Sequence, residues 1–160
     1  MGMRKIWRWI LIALGIILPT TTTCVNDDFN NEDYNYMKIE DDIFTIVNDH
    51  RKKLNLSECK KSSVISLIAT EHCVYMISQK SASHDKFAER ANELMTTYKF
   101  KTVGEVVAYG FNGATGVVQS WIKSDSHRHV IENSKWTHFG VSVMRNEKGR
   151  NYFTLIFARV

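Results

Sequence analysis

The 160-residue chain is 44% hydrophobic and 24% charged with a formal net charge of +4, enough apolar material for one folded domain and too much for a wholly disordered chain. The charge is unevenly divided: residues 1–23 carry +3, residues 24–42 carry −6, and residues 43–160 carry +7. The 17 bases of that last stretch are scattered, with no stripe and no interleaved aromatics, which excludes a nucleic-acid-binding surface and reads as a solvated face.

At the front, Arg4, Lys5 and Arg8 precede an apolar run from Trp9 to Leu18. Ten residues are too few to cross a membrane, which takes about 20. A cationic head, a short apolar core, then Pro19 and four threonines is the layout of a secretory signal peptide, and residues 1–23 are read as one. Cys24 stands where a bacterial lipoprotein carries its lipidated cysteine, although Thr21 and Thr23 replace the aliphatic and small residues usual before it. A lipid anchor on Cys24 and free secretion both stay open. Residues 24–42 are acidic and Asn-rich, which predicts a disordered tether ahead of a domain over 43–160.

Within that domain, Ile43, Ile46, Val47 and Leu54 recur at helical spacing, with Asp41 or Asp42 as cap and bases at the far end. A longer helix follows over "SSVISLIATEHCVYMISQK", begun by Ser62 or Ser63 and carrying Val64, Leu67, Ile68, Cys73, Met76 and Ile77 on a wide apolar face. "KFAERANELMTTY" reads as a third, weaker helix, and "TVGEVVAYG" as a strand ending at Gly110. "NGATGVVQSWIKS" is a helix with Val117, Val118, Trp121 and Ile122 on one face, so Trp121 is expected to pack between it and the sheet. "HFGVSVMR" and "NYFTLIFARV" are strands joined by the turn "NEKG". The order points to an α+β fold with a small antiparallel sheet. Cys59 and Cys73 are expected as free, buried thiols in apolar helical contexts. A helix from Ser62 carries Cys73 about 16 Å away at 1.5 Å per residue, and a disulfide needs Cα atoms within about 7 Å.

Against this apolar frame a few polar residues stand out. Glu105 lies in an apolar strand, on the face of Val103, Val107 and Tyr109, and a buried carboxylate there must find a partner or an open end. His84 lies in the loop "SASHDKF", and His127 follows the Trp121 helix within "SDSHRHVI". Spacing alone does not bring these three together. Each histidine could instead cap a helix end, with Glu105 paired to a base of the domain.

Seven stretches in order resemble one family. "VNDHRKKLNL" is similar to N-x-x-R-x-x-x-G-L, with Asn55 in place of Gly; "ATEHCVYM" to A-x-x-H-S-x-x-M; "SHDKFAERA" to S-H-D-G-F-x-x-R; "GEVVAYG" to G-E-N-I-A-x-G; "VVQSWIKSDSHRHVI" to V-V-x-x-W-x-x-S-P-G-H-R-x-N-I; and "THFGVSV" to T-H-I-G-V-G-V, with the closing strand ending the domain. On these residues the chain resembles a bacterial member of the CAP superfamily of cysteine-rich secretory proteins, antigen 5 and pathogenesis-related 1 proteins. The resemblance implies a three-layer α-β-α sandwich and a cleft lined by two histidines and acidic residues. The cleft positions fall on His84, Glu105 and His127. Ser124 stands where animal and plant members often carry a second glutamate, so it adds a hydroxyl at most. Arg128 is read as a brace for the loop and His129 as a helix-surface residue. Ser126, Val130 and Glu132 depart from the motif. Ser126 shifts the turn aiming His127 if that turn needs a positive φ. His72 and His138 match motif positions outside the cleft and are read as structural.

Two imidazoles and a carboxylate suit a zinc-like ion with water in the fourth place, so His84, Glu105 and His127 are the candidate ligands of Zn2+. The same residues could grip a ligand by hydrogen bonds. The expected function is therefore a secreted or surface-anchored CAP-domain binding module for an envelope or extracellular ligand, met by no nucleic acid and by a membrane only through the signal peptide or lipid anchor. The competing reading is a secreted metal-dependent hydrolase acting on peptides.

Overall fold

The computed structural model describes residues 31–160. The segment expected as a signal peptide, Cys24 and the first part of the expected tether lie outside the described residues. The chain runs α1 (Asn31–Lys53), β1 (Lys60–Lys61), α2 (Ser63–Gln79), α3 (Phe87–Thr96), β2 (Thr102–Tyr109), α4 (Ala114–Lys123), α5 (Asp125–Ile131), β3 (His138–Arg145) and β4 (Asn151–Arg159). The strands form one sheet in the order β1-β3-β4-β2; β3, β4 and β2 are antiparallel, and β1 runs parallel to β3.

Side chains alternate across a strand, and here both faces are covered. Phe153, Leu155 and Phe157 of β4 join Phe139, Val141 and Val143 of β3 and Val106 of β2. α1, α4 and α5 close over them through Ile43, Val47, Val117, Val118, Trp121 and Ile131. On the other face Ile156 and Ala158 meet Ile65, Ile68 and Ala69 of α2 and Leu94 of α3. Cys73, Met76, Val107 and Tyr152 continue that layer. This is the α-β-α sandwich the resemblance implied, and β4, central and buried on both faces, is the near-continuous apolar run that such a position demands.

α2 starts at Ser62, whose side chain accepts from the Ile65 amide, and it ends at Lys80 in the left-handed region. It sits close on the sheet because Gly140 has no side chain: a Cβ there would lie 2.3 Å from the Ser66 nitrogen. Trp121 is buried between α4 and the sheet as expected, and its indole N–H donates to the Val107 carbonyl at 3.0 Å.

Two expectations need correction. The first helix begins at Asn31 rather than at Asp41 or Asp42, so residues 31–42, expected as disordered tether, are helical. Ile39 is buried in the core, and Tyr36 packs against it one turn earlier. The Val143 amide donates to Glu40 Oε1 at 3.0 Å. β1 pairs only with His138 and Phe139, so Val143 lies on an uncovered edge of β3, and Glu40 supplies the acceptor a neighbouring strand would have offered. Burial pushes the Glu40 carboxyl up from its ordinary pKa, with the Val143 bond opposing. The residues after the Trp121 helix, "DSHRHVI", form a separate short helix, α5. Second, Cys59 lies in the loop before β1, not in a helix, with Asn48 bonding both its N–H and its C=O at 3.0 Å. Both described cysteines are free and buried, as expected.

Candidate functional site

β2 is an edge strand, and Glu105 sits on the face that α2 and α3 cover, in register with Ile156. Its carboxylate is 1% exposed. A charge so placed needs compensation, and three elements converge to give it. Arg90 of α3 donates in a fork: Nε to Oε2 at 3.0 Å, and Nη2 to Oε1 and Oε2 at 2.9 and 2.8 Å. His84, from the α2–α3 loop, contacts Oε1 through Nδ1 at 2.9 Å. His72, from α2, lies behind them, with Nε2 3.9 Å from the same oxygen.

The bonds fix proton positions. A carboxylate already gripped by arginine accepts only, so His84 Nδ1 carries the proton, and in the neutral ring Nε2 presents a lone pair. His84 is 52% exposed, so that lone pair belongs to a ring open to solvent. His72 is the opposite case. Its Nε2 donates to the Ser83 carbonyl at 2.7 Å, and its Nδ1 is buried with no partner. Burial holds the His72 pKa below the usual histidine value; Glu105 and the Ser83 bond oppose this, and Arg90 and His84 reinforce it. By bonding Ser83, His72 anchors the residue before His84 and so aims the loop. His84 is further held by the Phe87 amide, which donates to its carbonyl at 3.0 Å, and by Arg90 Nη1 donating to the Asp85 carbonyl at 2.7 Å.

His127 reaches this region from α5, which packs against β2. It is half-buried. Burial lowers its pKa, and the nearby His84 lowers it further, because two imidazoles side by side resist charging together. Ser124 ends α4 and begins α5, with its hydroxyl 3.2 Å from Ser126 Oγ. Arg128 braces the loop, donating to the Ile122 carbonyl at 3.2 Å and to Asp125 at 2.6 Å, and His129 is exposed. Ser126 has no positive φ, so its replacement of glycine leaves the turn unstrained. The other two departures are absorbed by packing: Val130 packs against the core, and Glu132 pairs with His50 Nε2 at 2.8 Å.

The structure thus joins His84 to Glu105 directly and sets His127 beside His84. Both Glu105 oxygens are engaged, and among the described residues no group of three or more His, Cys, Asp or Glu is gathered to hold a metal ion. The donor set fits two imidazoles with a carboxylate behind one of them, not three ligands around one point. Reading the sequence missed Arg90, although the last position of "SHDKFAER" falls on the motif's arginine, six residues after His84. His72, placed outside the cleft, in fact lies directly beneath it. Neither described cysteine is poised as a nucleophile: burial pushes the Cys73 thiol up to about 12 and raises that of Cys59.

Comparison with known proteins supplies the wider context. The model of the cysteine-rich secretory protein family, CAP, matches residues 44–157. An uncharacterized membrane protein of Bacillus subtilis is 28% identical over 116 residues, covering 71% of this chain and 34% of the relative, so the chain spans about a third of that protein's length. A cysteine-rich secretory protein of Staphylococcus aureus superposes with a TM-score of 0.67 and 27% identity, over 78% of this chain and 39% of its own. An outer surface protein of Borrelia burgdorferi gives the same TM-score at 22% identity, over 77% of this chain and 91% of its own.

Proposed function

The chain belongs to the cysteine-rich secretory protein (CAP) family, and from that premise we propose that it is an exported binding module whose ligand is gripped by His84 and His127 at the open edge of β2. One observation carries the reading. Glu105, gripped by Arg90, engages the His84 ring through Nδ1 and leaves Nε2 available, while burial and the neighbouring ring lower the His127 pKa. In their neutral forms the two imidazoles accept hydrogen bonds or bind a soft cation, and Ser124 adds a hydroxyl nearby. A divalent ion such as zinc would be held weakly by the two rings, with Glu105 orienting His84 from behind.

Export is part of the same proposal. It is supported by the layout of residues 1–23 and by relatives described as secretory and outer-surface proteins. No helix among the described residues is long and apolar enough to cross a membrane. Cleavage before Cys24 and its acylation would then attach the protein to a membrane through its N-terminus.

Calorimetric titration of zinc at pH 7.5 and pH 5.5 tests the pair. Wild type and His129→Ala should bind weakly at the higher pH and lose binding at the lower, since both rings must be neutral. His84→Ala and His127→Ala should lose it at both. Retention of zinc by His127→Ala with loss in His129→Ala would put the wrong histidine in the cleft.

A further inference from the structure

A cavity of about 450 Å³ opens between the C-terminal end of α2 and the β3–β4 hairpin, and none of His84, Glu105 or His127 lines it. Its apolar wall is Ile77, half-buried, and Tyr152, buried; around it stand Lys80, Lys148, Arg150 and Glu147, all exposed. Among the described residues none of the three cations lies within ion-pair distance of a carboxylate. The rim therefore carries a net charge of +2 with no internal partner.

One of the cations is held in place, and the backbone that carries another is fixed. The Arg150 guanidinium lies over the Tyr109 ring, 5.4 Å from its centroid, and Tyr109 stacks on Tyr152 at 5.7 Å, so the arginine ends an aromatic ladder that leads into the wall. Lys80 occupies the position after α2 with φ of 56°, fixed by its amide donating to the Ile77 carbonyl and by Ser81 donating to Met76. Glycine is the residue of lowest backbone cost there. A lysine at that point accepts strain and places a cation on the rim.

We propose that this groove binds a phosphomonoester carried on an aromatic or apolar body. A phosphomonoester carries about −1.5 to −2 at pH 7, which balances the rim. Arg150 offers a fork for two of its oxygens while the lysines supply point charges. Half-buried Ile77 and the aliphatic stems of the rim side chains take the body, and the volume falls within the ~300–1,000 Å³ of small-molecule sites.

The test follows backbone amide shifts of the labelled protein during titration with phenyl phosphate, inorganic phosphate or phenol. Phenyl phosphate should give saturable shifts centred on Ile77, Gly149 and Tyr152, at least fivefold tighter than either fragment, and should weaken as salt rises. Lys80→Gln/Arg150→Gln should weaken it at least tenfold, Lys148→Gln about threefold, and His127→Ala not at all. Shifts that never saturate, that persist in the double variant, or that centre on His84 and His127 would overturn the proposal. Binding to phosphatidylcholine vesicles only when they contain phosphatidic acid, with none to the soluble ester, would overturn it too, by assigning the cations to a membrane surface.

Discussion

Among the described residues two charged side chains, Arg51 and Glu105, are buried, and they are compensated in different ways. Arg51 is fully buried, over the Phe157 ring at 6.0 Å. Among the described residues it has no carboxylate within ion-pair distance; Nε donates to the Ser57 carbonyl at 3.1 Å, Nη1 donates to those of Ile131 and Asn133 at 2.6 and 3.0 Å, and Nη2 has no partner there. Burial lowers its pKa. Glu105 is compensated by charge, through Arg90, and by a ring that is itself half in solvent. Backbone dipoles close a charge off from the outside, so Arg51 ties α1 to the loop before β1 and to the end of α5. A titratable partner at the surface opens a charge to ligands and to pH. A buried charge is therefore not by itself the mark of a site; the exposure of what satisfies it is.

The largest expected effect lies on the closed side. Arg51→Met should cost about 3–5 kcal/mol, because three backbone carbonyls lose their donor in a dry environment. That is a large share of the ~5–15 kcal/mol of a typical domain. Urea unfolding measures it, and a loss under about 1 kcal/mol would erase the contrast. Glu105→Gln should cost less, about 2 kcal/mol, since the amide keeps the shape and one acceptor for Arg90. Its distinctive effect is on His84: long-range imidazole N–H spectra should find the proton on Nδ1 in the wild type and mixed tautomers in the variant, whereas Arg51 substitution leaves that signature alone in the folded protein.

Acid should act mainly on the open side. His72 and His127 both have folded pKa values below the ordinary ~6.5, so the unfolded chain takes up protons first as pH falls. Their contribution to stability is complete above pH ~6.5 and declines as pH drops through that value toward the lowered ones. Melting temperatures across pH 8 to 5 should fall below ~6.5, and less steeply in His72→Gln. A melting temperature that rises on acidification would reverse the sign and the reading of His72 as buried and neutral. The smallest effect belongs to the turn after Arg51. Asn55 has φ of 57°, where the related motif carries glycine. Asparagine tolerates that region, so Asn55→Gly should change stability by a few tenths of a kcal/mol at most, while Asn55→Val should cost about 1–2 kcal/mol.

Much of this was readable along the chain. β3 and β4 follow from alternating and continuous apolar runs, and α2 and α4 from helical spacing with identifiable ends. His84, Glu105 and His127 could be named only because seven short motifs occur in order, since no spacing rule links a loop, a strand and a helix. Residues 31–42 were misread because composition averages over all sides of a helix. Packing asks only for one face, and Tyr36, Ile39 and Ile43 provide it amid acids.

Local periodicity thus specified the elements and their buried faces, because side-chain direction in a helix or strand depends on neighbours a few residues away. Which polar groups meet did not follow from it. Arg90 meets Glu105, and Arg51 meets the carbonyls of Ile131 and Asn133 across 80 and 82 positions, because each buried charge had to find a partner once the layers closed. That partner is set by how helices seat on the sheet, down to Gly140 letting α2 approach and bring His72 beneath the cleft. Burial creates the demand for compensation, and only the packed layers determine what is near enough to meet it.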